Sequence, residues 1–383
     1  MSLHFDDTEF AARLEKVRDA MDSAGLDGLL LFNQASMFWL TGYDTFGYCF
    51  FQSLVVRADG RMILLTRAPD LRQAQLTSII DDIRIWVDRD GATPADDLRD
   101  LLAELELTGK RIGMESETQG LTHANGRRIE AALDGRAELV DASGLVTHLR
   151  LVKSPAELAY VRRAGELCDA ALDAAIAATG PEADEGVILA RMHDAIFEGG
   201  GDYPGNPFII GSGRHALLCR YQSGRLKLGR RDQLTLEWAG VYRQYHAAAM
   251  RTLVVGQSDD RHKALHEAAR DALLACEEAL RPGRSMGEVF DAHARTLDAH
   301  GLAAHRLNAC GYSLGTVYAP CWMDWPMFYA GNPVIMQPGM VFFLHMIIAD
   351  SDSNHAMTLG RTSIITETGI EGVSRHPLDM IAC

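Results

Sequence analysis

Ser154, Pro155 and Glu157 form a helix-start signal: a hydroxyl able to cap, a proline preset for the first helical turn, and a glutamate able to reach back to the cap. Its position constrains the fold, because the patterning differs on its two sides. Before it, apolar runs at Gly28–Phe32, Ser53–Val56, Met62–Leu65, Ile83–Val87 and Arg111–Met114 alternate with helical spacing over 8–24, 95–106 and 120–134. That rhythm predicts an α/β domain with a mixed sheet. Gly25 ends the first helix, and Asp59-Gly60 turns a hairpin. After the signal, a second helix over 184–198 leads into a strand-rich stretch over 207–256, then helices over 260–300 and strands from 306 to the end. Runs of helices and runs of strands predict an α+β domain whose helices cover one face of an antiparallel sheet. The boundary is set at residues 1–148 and 149–383, and no strong internal repeat is evident in the sequence.

Charge and cysteine usage narrow the class. Fifty-two acidic against 37 basic residues leave a net charge of −15, which repels nucleic acid and anionic membranes, and no basic run offsets it. Seven dispersed cysteines without a Cys-x-x-Cys pair argue against a disulfide framework or a structural zinc site and for reduced thiols in a cytoplasm. Asp6, Asp7 and Glu9 do not suit a signal peptide, and no apolar stretch is long enough to span a bilayer. Asp350-Ser-Asp-Ser-Asn resembles the start of a calcium loop, but His355 and Arg361 stand where a glycine and a glutamate belong, so it reads as a hairpin tip. Gly211-Ser-Gly-Arg reads as a turn, and no Gly-x-Ser-x-Gly elbow supports serine hydrolysis.

Several landmarks occur in the order found in the creatinase and aminopeptidase "pita-bread" family. Leu149–Leu158 resembles the start of its catalytic domain, Glu237–Thr252 its first metal-binding hairpin, Gly311–Gly315 its histidine strand, and Gln337–Phe342 the strand that follows. With Phe38–Tyr43, the resemblance covers nearly the whole chain. It implies a creatinase-type α/β N-terminal domain followed by a pseudo-twofold α+β pita-bread catalytic domain, in a homodimer whose N-terminal domain lies near the partner's active site. The departures also matter. Where the metallopeptidases have two aspartates, a histidine and two glutamates, this chain has Glu237, Ala248, Tyr312 and, near the glutamates, His345 and Gly360. A pair of metals needs several hard oxygen ligands, so no metal and no cofactor are expected.

The resemblance leans toward ectoine hydrolase, which opens a cyclic amidine without metal, with creatinase as the nearest alternative. A Xaa-Pro metallopeptidase-like protein and a catalytically inactive binding module remain as further alternatives. The expected partner is a small zwitterionic substrate. An amidinium presents parallel N–H donors to a carboxylate, and Glu237, in an apolar strand, is the candidate, as substrate anchor, nucleophile or general base. His246, across a hairpin through Gly240 to Arg243, and His345, in an apolar strand, are candidates for moving protons. Tyr312 and Tyr318 can donate to an oxyanion or a substrate carboxylate. Arg220, which stands where relatives carry a histidine, can clamp a carboxylate, as can Arg251 or Arg361. Trp39, Tyr43 and Trp322 are candidates for a cation-binding wall or lid.

Overall fold

The structure is a computed structural model that describes residues 3–220 and 226–383. It divides into two compact units, Met1–Arg150 and Leu151–Cys383. In the first, six strands form a mixed sheet in the order β4-β3-β2-β1-β5-β6: β1 (Gly28–Leu31), β2 (Ser53–Arg57), β3 (Met62–Thr66), β4 (Asp82–Ile85), β5 (Arg111–Met114) and β6 (Glu138–Asp141). Among the described residues six α-helices accompany it, α1 (Asp7–Ser23), α2 (Gln34–Thr41), α3 (Leu71–Thr77), α4 (Pro94–Glu104), α5 (His123–Leu133) and α6 (Gly144–Leu149). Two apolar clusters form its core, one with Leu30, Val55, Ile63 and Ile112, the other with Leu29, Leu31, Leu54 and Leu64. Neighbouring residues of one strand fall in different clusters because successive side chains leave a strand on opposite faces.

The second unit opens with α7 (Pro155–Ala178), started by the capping box: the Ser154 side chain accepts from the Glu157 amide, and the Glu157 carboxylate accepts from the Ser154 amide. Then follow α8 (Glu185–Glu198), β7 (Ile209–Ser212), β8 (Asp232–Tyr242), β9 (Tyr245–Val255), α9 (Asp260–Ala279), α10 (Met286–Ala299), β10 (Gly311–Ser313), β11 (Asp324–Met327), β12 (Val341–Asp350), β13 (His355–Ile365), β14 (Ile370–Gly372) and β15 (Ile381–Ala382). The main sheet runs β11-β10-β12-β13-β9-β8-β7. Its centre, between β13 and β9, relates two similar halves, each a helix pair followed by a short strand (two, β10 and β11, in the second half) and a long antiparallel hairpin. The repeat absent from the residue pattern is therefore present in the architecture. Helices α7 and α9 pack on the sheet, with α8 against α7 and α10 against α9.

Two details of the β8–β9 hairpin differ from the expectation. Both strands are eleven residues long, and the turn falls at Arg243 and Gln244, whose φ angles are 49° and 68°. Gly240 lies inside β8, where a Cβ would come 1.9 Å from the Ala164 carbonyl oxygen of α7. That glycine permits close approach of helix to strand and does not make the turn. No described helix is long and apolar enough to cross a membrane, and all seven cysteines are unpaired.

Candidate active site

Strand register sets the site. Ile209 pairs with Glu237, Glu237 with Met250, Met250 with Gly360, and Gly360 with His345, so one lateral row crosses five strands on one face of the sheet. Two residues along, Ala239 pairs with Ala248, and Thr362 pairs with Phe343, which pairs with Tyr312. The Thr362 hydroxyl accepts from the Ala248 amide and donates to its carbonyl, each at 2.9 Å, joining the halves where the backbone ladder stops. Among these row positions Glu237 is the sole carboxylate.

Glu237 opens onto a cavity of about 200 Å³ lined by Asn206, Ile209, Arg220, Tyr312, Cys321 and Trp322, among others. A directed hydrogen-bond chain reaches it. The Trp322 indole Nε1–H donates to the Tyr312 oxygen at 2.8 Å, and that hydroxyl donates to Glu237 Oε1 at 3.2 Å. An indole can only donate, which fixes the direction. Oε2 has no hydrogen-bond partner among the described residues. Burial pushes the Glu237 carboxyl up to about 7, against the opposing pulls of the Tyr312 hydrogen bond and the Arg220 charge. Burial, and then the neighbouring Glu237 carboxylate, holds the Tyr312 phenol well above its ordinary value, so it remains a donor. Arg220 is exposed at the cavity's edge.

The remaining sequence candidates are placed differently. His246 pairs with Val241, four residues along the strand from Glu237 and so about 13 Å away. Its ring is fully occupied: Nε2 accepts from the Gly205 amide at 2.9 Å, which leaves the Nδ1 hydrogen for the Gln244 carbonyl at 3.0 Å. Burial lowers its pKa to about 4. The proton-shuttle assignment is corrected: His246 pins the loop that carries Asn206 into the cavity. Arg251 is also corrected. It pairs with Leu236 and Leu359, and so faces away from Glu237; its Nη1 donates to the Met250 and Gly360 carbonyls at 2.8 and 2.7 Å. Arg361 is bound bidentately by Glu277 of α9.

His345 is buried on the Glu237 row, but its ring packs 5.6 Å from that of Tyr312 and does not line the cavity. Burial lowers it to about 4, and its Nδ1 has no hydrogen-bond partner. Tyr318 is half-buried and lies outside the lining. Trp39 and Tyr43, proposed for a lid, are core residues of the first unit, at 2 % and 0 % exposure, with the Tyr43 hydroxyl donating to Gln52. The exposed rings nearby in the chain are Phe46 and Phe50. Asn206, whose Oδ1 accepts from the Trp322 amide at 3.1 Å, was not singled out from the sequence; its polar side chain between Gly205 and Pro207 is the only signal there.

Residues 159–367 match the model of metallopeptidase family M24, and residues 13–152 that of the creatinase/prolidase N-terminal domain. An ectoine hydrolase from Halomonas elongata is 26% identical over 394 residues, covering 98% of each chain. A Xaa-Pro dipeptidase from Pyrococcus furiosus is 21% identical over 237 residues, covering 62% of this chain and 67% of its own. The solved structure of a Xaa-Pro dipeptidase from Bacillus anthracis superposes with a TM-score of 0.85 at 21% identity, covering 98% of this chain and 100% of that one, a likeness of fold. The donor set here does not fit a metal pair. Ala248 and Gly360 offer no side-chain donor, the Tyr312 hydroxyl is committed to Glu237, and a Cβ at Gly360 would sit 2.6 Å from the Leu344 carbonyl oxygen.

Proposed function

The chain belongs to metallopeptidase family M24, a family of hydrolases, behind a creatinase/prolidase N-terminal domain, and from that premise we propose that it opens a C–N bond of a small amidine or guanidino solute without a metal. Ectoine ring opening to N-acetyl-diaminobutyrate is the leading specific reaction. The observation that carries this reading is Glu237, the single carboxylate among the described lining residues, facing a small cavity with one oxygen that no described residue engages and a guanidinium at the edge. A cationic amidinium suits one carboxylate, whereas a metal pair requires several. A volume of about 200 Å³ is below the roughly 300–1,000 Å³ of clefts that take drug-sized ligands and suits a compact solute. The named ectoine hydrolase among the relatives supports the same substrate class. The seven unpaired thiols suit the cytoplasmic location included in this proposal.

The chemistry follows from how Glu237 is held. The Tyr312 hydrogen bond engages Oε1 and leaves Oε2 for the cavity. A carboxyl near 7 has both forms available around neutral pH, as a general base requires. Oε2 takes a proton from water as the water oxygen attacks the amidine carbon. The C–N bond then breaks, and the proton passes from Glu237 to the departing nitrogen. One water is consumed, the ring opens to a single product that carries both an amide and an amine, and nothing is oxidised. Arg220 clamps the substrate carboxylate. Creatinase-type cleavage would use the same geometry, so creatine is the second substrate to test.

The test is incubation with ectoine, 5-hydroxyectoine and creatine in excess chelator, with products followed by NMR. Turnover that persists in chelator and disappears in Glu237→Gln is expected. Peptide hydrolysis that requires added manganese or cobalt would overturn the proposal.

A further inference from the structure

A second cluster of ligating side chains lies away from the cavity. Asp259 caps α9, its Oδ1 accepting from the His262 amide at 2.8 Å. His355, the first residue of β13, places Nε2 2.9 Å from Asp259 Oδ2, and the two imidazole rings are 4.5 Å apart. One ligand atom from each of the three residues lies within 4.8 Å of the others. They border a separate cavity of about 310 Å³, which Arg214 and Arg231 also line. Gly360 lies five positions along β13 from His355, about 16 Å, so this cluster is distinct from the Glu237 site.

We propose that Asp259, His262 and His355 form a mononuclear site for a borderline divalent transition metal, with Zn²⁺ as the reference ion and one coordination position open to the cavity. Three features carry the proposal. First, two imidazoles and one carboxylate match zinc and its neighbours and not calcium or magnesium, which take oxygen ligands. Second, His262 is 9 % exposed, and both of its ring nitrogens are buried without a hydrogen-bond partner. Its Nδ1 lies 3.0 Å from Asp259 Oδ1, which also accepts from the His262 amide, so ring and carboxylate already sit side by side. A buried ring with Nε2 idle and Nδ1 in only a poorly directed contact is costly unless something uses a lone pair.

Third, His355 Nδ1 lies 2.9 Å from the Ser353 carbonyl, an acceptor for its hydrogen. In the metal-free chain Nε2–H donates to Asp259 Oδ2; a metal that displaces that proton meets an Nε2 lone pair already aimed at the cluster, and a histidine ligand is commonly oriented by a contact on its other nitrogen. Tetrahedral zinc with bonds near 2.0–2.1 Å separates its ligand atoms by roughly 3.3 Å, a distance that small side-chain rotations reach from here. The other such cluster among the described residues, His305 with Asp350 and Asp352, is less suited, since Arg261 already holds the Asp350 carboxylate.

The experiment uses the full chain, stripped with chelator, dialysed and titrated with Zn²⁺ and then with Co²⁺, whose visible absorption reports tetrahedral nitrogen and oxygen ligation. Wild type, Asp259→Asn, His355→Gln and Glu237→Gln are compared, with circular dichroism to verify folding. Asparagine caps a helix as well as aspartate does, so Asp259→Asn removes the charge and leaves α9 started. One equivalent of zinc is expected in wild type and Glu237→Gln, with affinity lowered at least tenfold in each of the other two variants. Absence of saturable binding in wild type, or binding unchanged in both Asp259→Asn and His355→Gln, overturns the proposal. Stoichiometric metal lost only in Glu237→Gln would overturn the metal-free reading of the active site as well.

Discussion

Tyr312→Phe tests the hydrogen-bond chain at Glu237. The substitution keeps the ring but removes a donor that favours the charged carboxylate. A hydrogen bond to a charged group contributes roughly 1.5–3 kcal/mol, and the 3.2 Å length places this one at the lower end, about 1.5 kcal/mol. At about 1.4 kcal/mol per pKa unit, the Glu237 carboxyl should rise by about one unit from its wild-type position near 7. The same change leaves the Trp322 Nε1–H without its acceptor, costing about 1–3 kcal/mol of stability. The carboxyl is read by NMR titration of protein labelled at the glutamate side-chain carboxyl carbon, with Glu237→Gln assigning the resonance. Once a substrate is in hand, the acid limb of kcat/KM should move alkaline by the same amount. A Glu237 midpoint that stays put or moves acidic in a folded Tyr312→Phe protein would refute the chain as the control on this carboxylate.

Three other outcomes follow from the same geometry. Glu237→Gln should gain stability relative to wild type as pH rises. A carboxyl raised from 4.5 to about 7 stabilises the fold below its unfolded pKa, and that contribution is lost as pH climbs through 7. The difference grows by up to about 3 kcal/mol between pH 5 and 8, less whatever solvation the cavity mouth provides, and urea denaturation at the two pH values measures it. His246→Ala should cost about 1–3 kcal/mol, seen as a lower melting temperature, because the Gly205 amide and Gln244 carbonyl lose their partner. The acid limb of its pH profile should remain at the Glu237 value; its disappearance would return His246 to the proton path. Arg220→Gln should raise KM for a zwitterionic substrate about tenfold or more with kcat nearly unchanged, as loss of a charged carboxylate contact predicts.

Local signals were legible in the sequence where the structure they encode is also local. The Ser154–Glu157 capping box lies within four residues, and both of its hydrogen bonds form. Glu237 stood out because a carboxylate in an apolar strand needs a reason to be there. The relay to it was not legible as a unit, since Trp322 and Tyr312 are ten residues apart and Tyr312 and Glu237 seventy-five. His246 was misplaced for a traceable reason. Gly240 resembles a turn residue, but α7 uses it for close approach, while Arg243 and Gln244 take left-handed conformations without the glycine or asparagine that would announce them. The Asp259–His355 pair spans 96 residues and had no sequence signal at all.

Gly360 bears on what this chain can become. A metallopeptidase-like carboxylate cannot be installed there by changing one residue, since the first carbon of any side chain meets the Leu344 carbonyl oxygen at 2.6 Å and the Phe343 ring at 3.0 Å. β12 would have to move away from β13 before a ligand at that position had anything to coordinate, and that movement alone brings only lost packing. A single substitution is therefore blocked by steric order of events, and a designer seeking a metal centre on this sheet should begin with β12 and Phe343 and bring in the ligands afterwards.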